Sequence, residues 1–303
     1  MDDAPPSPLS QEPADAPART QDWVIVGDSV PGHSHILNGL PCQDCFTVIS
    51  IDRSWLLMIT SDGAGSSPNS QRGSALLCTT IAPGLIAELV KTRVLDLSKG
   101  LPSVEEWARI GNAAFARMRE ELRGRAVEQG LESSEFNATL SVALFSTSGL
   151  LVGHLGDGRG AYLNAANEWV AAMRPHKGEE PNQTVFVSSK WDALEKSANG
   201  VPIPEFAVYE GPIRAVALLT DGMEKHAFEC SVMDMATTKW TDPNTPFQRF
   251  FTPLRSSVLT KSALQDELNA AWSRFLKEGT PAMKLEHDDK TLVLACLLEE
   301  QQT

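Results

Sequence analysis

The chain has 303 residues, of which 42% are hydrophobic, and its formal net charge is −13 at pH 7. This length allows one large domain or two small ones, with enough apolar residues for a sizeable core. The acidic balance argues against a nucleic-acid partner, because phosphate binding needs a basic face. We also expect no membrane partner, because no apolar run in the sequence reaches the length of a membrane span.

The first 20 residues contain five prolines and several acids, and they lack the basic start and apolar core of a signal peptide. They predict a disordered acidic, proline-rich tail, and residues 21–303 are predicted to form a single domain. The five cysteines are odd in number and irregular in spacing. This pattern favours the reducing cytoplasm as the location of the protein.

Nine runs of the sequence are rich in β-branched and apolar residues and end in Gly, Asp, Asn or Pro, which predicts strands. Short links make neighbouring runs antiparallel hairpins, most clearly at residues 138–158 and 46–63. Such hairpins argue against a doubly wound parallel sheet. In chain order the predicted strands are "DWVIVGDSV", "FTVISID", "WLLMITSDG", "ATLSVALFS", "LLVGHLGDG", "EWVAAM", "TVFVSS", "AVALLTDG" and "KTLVLACLL".

Three longer segments have a helical pattern. Residues 103–126 begin with a capping box of Ser103 and Glu106. Residues 262–279 begin with Ser262 as a cap and end at Gly279. Residues 70–91 contain Pro83, which must kink or split the helix. The predicted class is therefore α+β, a β-sandwich of two mainly antiparallel sheets flanked by helices. The apolar stripes are Trp107, Ala114, Met118 and Leu122 in the first helix, and Leu264, Leu268, Trp272 and Phe275 in the second.

Acidic residues stand at the ends of the most apolar predicted strands. A single Asp–Gly pair usually marks only a turn, but this set recurs at strand ends that converge on one rim of a sandwich. Carboxylates gathered there repel one another unless a cation screens them, and oxygen ligands favour magnesium or manganese. The residues are Asp62, Asp157 and Asp221, each followed by Gly, together with Asp44, Asp288 and Asp289.

A zinc site is the alternative metal centre in this sequence. His33 and His35 precede the pair Cys42 and Cys45, and these four side chains include typical zinc ligands. The segment also reads as the start of a strand, in which the two cysteines would point to opposite faces. We therefore expect no zinc site here.

The sequence resembles the metal-dependent protein phosphatase (PPM) family, the type 2C Ser/Thr phosphatases, and in particular its compact bacterial branch. The resemblance covers residues 24 to about 298 and implies a single catalytic domain with a four-layer αββα fold. The blocks that carry it, in order, are "GHSHILNGLPCQDCF", "SDGAGSSPNSQRGS", "NATLSVALFS", "GHLGDGRGAYL", "LLTDGMEK" and "DDKTLVLA".

This resemblance implies a centre of two Mn²⁺ or Mg²⁺ ions, with a third ion in some members. Asp62 would bridge both ions, the Gly63 carbonyl would bind one, and Asp221 with Asp288 would complete the second. Asp44 would act through a water molecule, and Asp157 matches the third-ion residue. The family pattern leaves the choice between Asp288 and Asp289 open.

The implied reaction is hydrolysis of phosphoserine or phosphothreonine in a protein substrate, in a signalling pair with an opposing Ser/Thr kinase. Gly39 and Ala64 replace an Arg and a His that many or some family members carry. We take His35 as the candidate for phosphate contact or leaving-group protonation, beside its plainer reading as a loop histidine. Arg72 and Arg159 are further phosphate-clamp candidates.

The two departures leave other functions open. A pseudophosphatase that acts as a binding or adaptor module would keep the fold without the turnover, and a small phosphomonoester hydrolase would act on metabolites. The segment 224–261 contains Trp240, Phe247, Phe250 and Phe251 among its aromatic residues and is interpreted as a flap near the site. The oligomeric state does not follow from the sequence.

Overall fold

The computed structural model describes residues 23–51, 54–178, 183–235 and 238–298. Within them, ten strands form two five-stranded sheets in which every paired strand is antiparallel. The predicted tail, residues 1–20, lies outside the described residues. Sheet 1 consists of β1 (Trp23–Val30), β14 (Lys290–Leu297), β9 (Ala215–Leu219), β6 (Arg159–Leu163) and β7 (Trp169–Ala171), in that spatial order. Sheet 2 consists of β2 (Cys45–Ser50), β3 (Leu56–Ser61), β4 (Leu140–Ser146), β5 (Gly149–Leu155) and β8 (Glu205–Glu210).

The two sheets pack face to face through a shared apolar layer. Alternate residues of each strand point inward, as the two-residue period of a strand requires. The inward positions of β3 and β14 are apolar over most of their length, which fixes the register of both strands because a slip by one residue would turn them outward. Residues of this layer include Ile25, Met58, Phe145, Val216 and Val293.

Helices cover the outer face of each sheet and complete a four-layer αββα arrangement, as predicted. The outer face of sheet 2 is covered by α2 (Ser70–Leu76), a π-helical turn (Leu77–Ile81), α3 (Ala82–Lys91) and α4 (Val104–Glu128). The outer face of sheet 1 is covered by α6 (Gln248–Thr260) and α7 (Gln265–Glu278). Three shorter helices are α1 (His33–Asn38), α5 (Glu224–Ala227) and α8 (Pro281–Lys284).

The helix boundaries follow most of the local signals in the sequence. Ser103 Oγ accepts a hydrogen bond from the backbone N–H of Glu106 at 3.2 Å, which confirms the predicted cap of α4. The π-helical turn interrupts the α-helix directly before Pro83, at the predicted break. Ser262 as the cap of α7 was wrong: the cap position is Leu264, because residues 261–263 form the turn that joins α6 to α7.

Several other predictions differ from the structure. Residues 184–189 form no strand, and β6 and β8 were not predicted. Leu264 is 54% exposed, whereas Leu268 and Trp272 are buried as expected.

The segment interpreted as a flap contains α5, four short strands and α6. We call residues 228–246 the flap segment. In it, β10 (Phe228–Glu229) pairs with β13 (Thr245–Pro246), and β11 (Val232–Asp234) pairs with β12 (Lys239–Thr241). Trp240 is 65% exposed at the tip, and Phe251 beyond the segment is fully buried in α6.

One helical run tests the expectation that no span of membrane length exists. Ser70–Lys91 is long and apolar enough to cross a membrane by length and composition alone. Half of its most apolar window is buried inside the fold, where Leu77, Ile81 and Leu85 pack on the outer face of sheet 2. Core helices have the same composition, so this run is weak support for a span.

Candidate metal centre

Strand pairing brings the acidic residues to one end of the two sheets. In sheet 2 the antiparallel register places Cys45 opposite Ser61, so Asp44, which precedes β2, lies beside Asp62, which follows β3. In sheet 1 the pairing of Leu219 with Leu292 places Asp221, which follows β9, beside the residues that precede β14. The convergence therefore follows from the register of two antiparallel strand pairs, β2 with β3 and β9 with β14.

Three carboxylates form the centre of this group. One oxygen each from Asp62, Asp157 and Asp221 lie within 4.8 Å of one another, and all three residues are half-buried. Asp157 follows β5, and Asp221 opens a single 3₁₀ turn, Asp221–Met223. These are the three residues that the sequence marks with a following glycine.

The electrostatics of the group are those of like charges held together away from water. Desolvation and the nearby Asp221, Asp44, Asp157 and Asp288 raise the pKa of Asp62 well above its ordinary range. Desolvation, Asp157 and Asp288 do the same to the pKa of Asp221. Each carboxylate therefore disfavours the charge of its neighbours, which is the condition that a bound cation would relieve.

Unpaired buried oxygens show that this group fits a divalent cation. Asp44 Oδ1, Asp157 Oδ1 and Asp221 Oδ1 are buried and have no hydrogen-bond partner. A buried carboxylate oxygen without a partner is costly, because it has lost its water and gained no donor. Clustered carboxylate oxygens are the ligands that Mg²⁺ and Mn²⁺ prefer, so the donor set fits these hard cations.

Asp44 differs from the other acids because one of its oxygens is held by protein donors. Thr220 Oγ1 and Thr291 Oγ1 each donate to Asp44 Oδ2 at 2.7 Å. Desolvation and the charge of Asp289 nevertheless raise the pKa of Asp44 to about 8. Sequence reasoning missed both threonines, and the only signal in the sequence is their position next to the acidic motifs.

The choice between Asp288 and Asp289 follows from their contacts. Asp289 is 1% exposed, and its two oxygens accept the backbone N–H groups of Gly32 at 2.7 Å and Gln43 at 2.5 Å and contact His35 Nδ1 at 2.7 Å. These bonds leave Asp289 as a structural anchor for α1 and for the loop before Asp44. Asp288 remains accessible and acts on the charges of the central group, so the geometry favours Asp288 as the ligand.

Gly63 allows close contact between backbone segments beside Asp62. A Cβ atom at this position would lie 2.8 Å from the carbonyl oxygens of Gln43 and Ser70. Gly63 also forms an isolated bridge with Ala138, which holds it at the mouth of sheet 2. The absence of a side chain is therefore required for packing, and the predicted role of its carbonyl as a ligand stays a prediction.

The remaining candidates for phosphate contact lie in different surroundings. His35 lies on α1, and its ring is held by Asp289 close enough to affect the pKa of Asp288. Arg72 is exposed, and its guanidinium lies over the ring of Phe136. Arg159 is fully buried and pairs with two carboxylates, so it is unavailable to a substrate phosphate.

The four potential zinc ligands His33, His35, Cys42 and Cys45 do not come together in the described part of the chain. Among the described residues, the three aspartates above are the only group of three or more potential ligands with atoms close enough to share an ion. The thiols of Cys42 and Cys45 lie near different backbone carbonyls, those of Asp44 and Phe46. This agrees with the expectation that the two cysteines diverge.

Comparison with known proteins agrees with this architecture. The family profile described as Protein phosphatase 2C matches residues 31–273. A curated relative, Serine/threonine-protein phosphatase 3 of Escherichia coli (strain K12), is 28% identical over 283 residues, which are 91% of this chain and 99% of the relative.

Solved structures show the same fold at low sequence identity. Serine-threonine phosphatase 2C from Toxoplasma gondii superimposes with a TM-score of 0.55 at 15% identity, over 93% of this chain and 97% of that one. The Serine/threonine phosphatase Stp1 from Staphylococcus aureus gives a TM-score of 0.52 at 13% identity, over 94% and 97%. With a family profile that spans most of the sequence and a fold that matches, the chain belongs to the protein phosphatase 2C family.

Proposed function

We propose that the chain hydrolyses phosphoserine and phosphothreonine monoesters in proteins, with two Mn²⁺ or Mg²⁺ ions at the carboxylate group; Asp157 is the residue that would hold a third ion if one binds. The observation that carries the proposal is the set of buried, unpartnered carboxylate oxygens gathered by strands of both sheets. When bound, divalent cations supply Lewis-acid polarisation of the phosphate and lower the pKa of a water molecule.

The protein's part is to hold the cations and to orient the groups that bind them. Asp62, Asp221 and Asp288 would hold the cations, with the Gly63 carbonyl beside them, and Asp44 near Asp62 offers one oxygen that has no hydrogen-bond partner. The rigid ends of β3 and β9 fix Asp62 and Asp221, so little reorganisation accompanies binding.

His35 is proposed as the proton donor to the leaving serine or threonine oxygen. Its Nδ1 contacts the buried carboxylate of Asp289, which accepts, so Nδ1 carries a proton in this contact. Nε2 is then the nitrogen that exchanges a proton with the substrate. If the rate and pH profile of His35→Ala equal those of the wild type, this role is wrong.

A pseudophosphatase is the second candidate, and it is favoured by one specific observation. Gly39 stands where many relatives carry a phosphate-clamping Arg, and it forms the left-handed cap of α1 with φ 64°. No cation comes from this position. The clustered charges argue against a pure scaffold, since carboxylates without a ligand weaken the fold.

One assay separates the candidates. The rate of hydrolysis of a phosphothreonine peptide and of p-nitrophenyl phosphate is measured with Mn²⁺ and then with chelator, for the wild type and Asp62→Asn. The proposed function predicts Mn²⁺-dependent peptide turnover that is lost in the variant. Mn²⁺ binding without turnover would indicate a pseudophosphatase, and turnover of the small ester alone would indicate a metabolite phosphatase.

The cellular setting is proposed on chemical grounds. A phosphoprotein substrate implies an opposing Ser/Thr kinase, and the phosphatase must share a compartment with the substrate that this kinase phosphorylates. All five cysteines are free thiols, which agrees with the cytoplasm proposed from their spacing. Detection of the protein in a fractionated cell lysate tests this location.

A further inference from the structure

The carboxylate of Asp44 is held on one side only. Both hydroxyl groups that reach it, from Thr220 and Thr291, approach the same oxygen, Oδ2, at 2.7 Å. Thr220 is 1% exposed and Thr291 is fully buried, so water does not compete with either bond. The other oxygen, Oδ1, is buried without a partner.

The direction of each hydrogen bond in this network can be deduced. Both threonine hydroxyls donate to Asp44 Oδ2, and each hydroxyl has only one proton to give, so neither can donate elsewhere. The hydroxyl of Thr220 then accepts the backbone N–H of Thr291 at 3.1 Å. The hydroxyl of Thr291 accepts from Ser29 Oγ at 2.7 Å. Each threonine hydroxyl therefore donates one hydrogen bond and accepts another. Successive hydrogen bonds in such a chain polarise one another.

We propose that Thr220 and Thr291 are positioning residues that fix Asp44 Oδ2 and so reserve Oδ1 for the cation site, an inference that rests on the proposed function. Two donors on one oxygen prevent rotation of the carboxylate about its Cβ–Cγ bond. The carboxylate is thus ordered before any cation arrives.

The network also joins the two sheets beneath the site. Asp44 enters β2 of sheet 2, whereas Thr291 lies on β14 and Thr220 directly follows β9 of sheet 1. The pairing of Leu219 with Leu292 places the two threonines side by side, which explains how residues 71 positions apart reach one oxygen. Partners that orient ligands in this way typically contribute 10- to 100-fold to metal affinity.

The test is a calorimetric titration of the metal-free full chain with Mn²⁺. Thr220→Val and Thr291→Val remove one hydroxyl each at nearly constant volume, and we expect each to weaken Mn²⁺ binding about 10- to 100-fold. Thr220→Ser and Thr291→Ser keep the hydroxyl and should bind Mn²⁺ within about threefold of the wild type. Thr47→Val is the matched control, because Thr47 lies on β2 at the same parity as Cys45 and Ile49, which face the helices.

Two further measurements make the result specific. Far-UV circular dichroism of each metal-free variant checks the fold. In an Asp44→Ala background the valine substitutions should change Mn²⁺ affinity less than twofold, because the threonines act only through Asp44. An equal loss in that background, or valine variants that bind like the wild type, would overturn the proposal, as would a wild type that binds no Mn²⁺. A wild type that binds Mn²⁺ without hydrolysing phosphopeptide overturns the proposed function instead.

Discussion

Arg159 offers a sharp test of how the fold supports the site. The side chain is fully buried, and its guanidinium donates to Glu224 Oε2 at 2.8 Å and to Asp242 Oδ2 at 2.7 Å. A further bond to Asn244 Oδ1 at 2.6 Å completes the set. Arg159 therefore ties β6, which starts two residues after Asp157, to α5 and to the flap segment.

Replacing Arg159 with Met keeps the volume and removes the charge. Breaking a buried pair costs about 3–5 kcal/mol, because the partner carboxylate stays buried without compensation. In the variant, Asp242 keeps its ion pair with Lys177 at 2.7 Å, and Glu224 and Asp242 are 20% and 14% exposed. We therefore expect a loss at the lower end of this range, about 3 kcal/mol. At about 2 °C per kcal/mol for a chain of this size, Tm should fall by about 6 °C.

The assay is urea unfolding of the metal-free protein, followed by fluorescence. Arg123→Met is the matched control, since Arg123 pairs with Glu120 at 2.8 Å on the surface and should lose less than about 1 kcal/mol. The double variant Arg159→Met with Glu224→Gln should recover part of the loss, because it also removes the carboxylate left alone. If the unfolding free energy of Arg159→Met matches that of the control, the charge network does not stabilise the fold as argued.

Three more outcomes follow from the site. The pKa values of Asp44 and Asp157 are raised to about 8 and about 7, so the folded metal-free protein binds more protons than the unfolded chain between about pH 4 and pH 8. Its unfolding free energy should therefore fall as the pH rises through this window. Urea unfolding at about pH 5 and about pH 8 measures this change. Gly63→Ala should lose Mn²⁺ affinity and stability because its Cβ meets backbone atoms, whereas Gly84→Ala, with nothing within 4 Å, should gain about 0.5–1 kcal/mol in thermal unfolding. Asp289→Ala should release α1, seen as faster proteolysis between residues 31 and 44 than in the wild type, and an unchanged rate would contradict the anchor role.

Much of the fold could be predicted because its central strands are apolar at most inward positions. β3, β4, β9 and β14 have such patterns, and short links fix the antiparallel pairing of β2 with β3 and of β4 with β5. β6 escaped prediction because it begins with Arg159, a charge that a strand core excludes unless distant acids neutralise it. Such compensation comes from the flap segment and is invisible in local sequence.

The incorrect strand at residues 184–189 has a similar cause. Its run of β-branched and aromatic residues is typical of a strand, but Val187 is buried and its carbonyl accepts a hydrogen bond from Trp191 Nε1 at 3.1 Å. The N–H of Val187 donates to the carbonyl of Ala138, two residues before the start of β4. Tertiary contacts thus use the backbone groups that a strand would need.

The acids of the site were visible in the sequence because each stands at a strand end, a position that depends only on local pattern. The residues that contact and orient these acids were not visible in the sequence. Asp288 and Asp289 are adjacent in the chain, so only the direction of each side chain distinguishes a ligand from an anchor, and that direction depends on the approach of α1. The two threonines on Asp44 likewise meet only through the register of β9 with β14.

The same arrangement links metal binding to the packing of the two sheets. Asp62 and Asp157 belong to sheet 2, Asp221 to sheet 1, and their mutual repulsion acts to separate the sheets at this end. The Asp44 network and the apolar layer behind it oppose that separation. A cation bound among the three carboxylates would replace repulsion with attraction, so its binding free energy adds to the stability of the folded state. Changes that loosen the inter-sheet layer should therefore weaken Mn²⁺ binding where they shift the carboxylates or leave a measurable fraction of the chain unfolded.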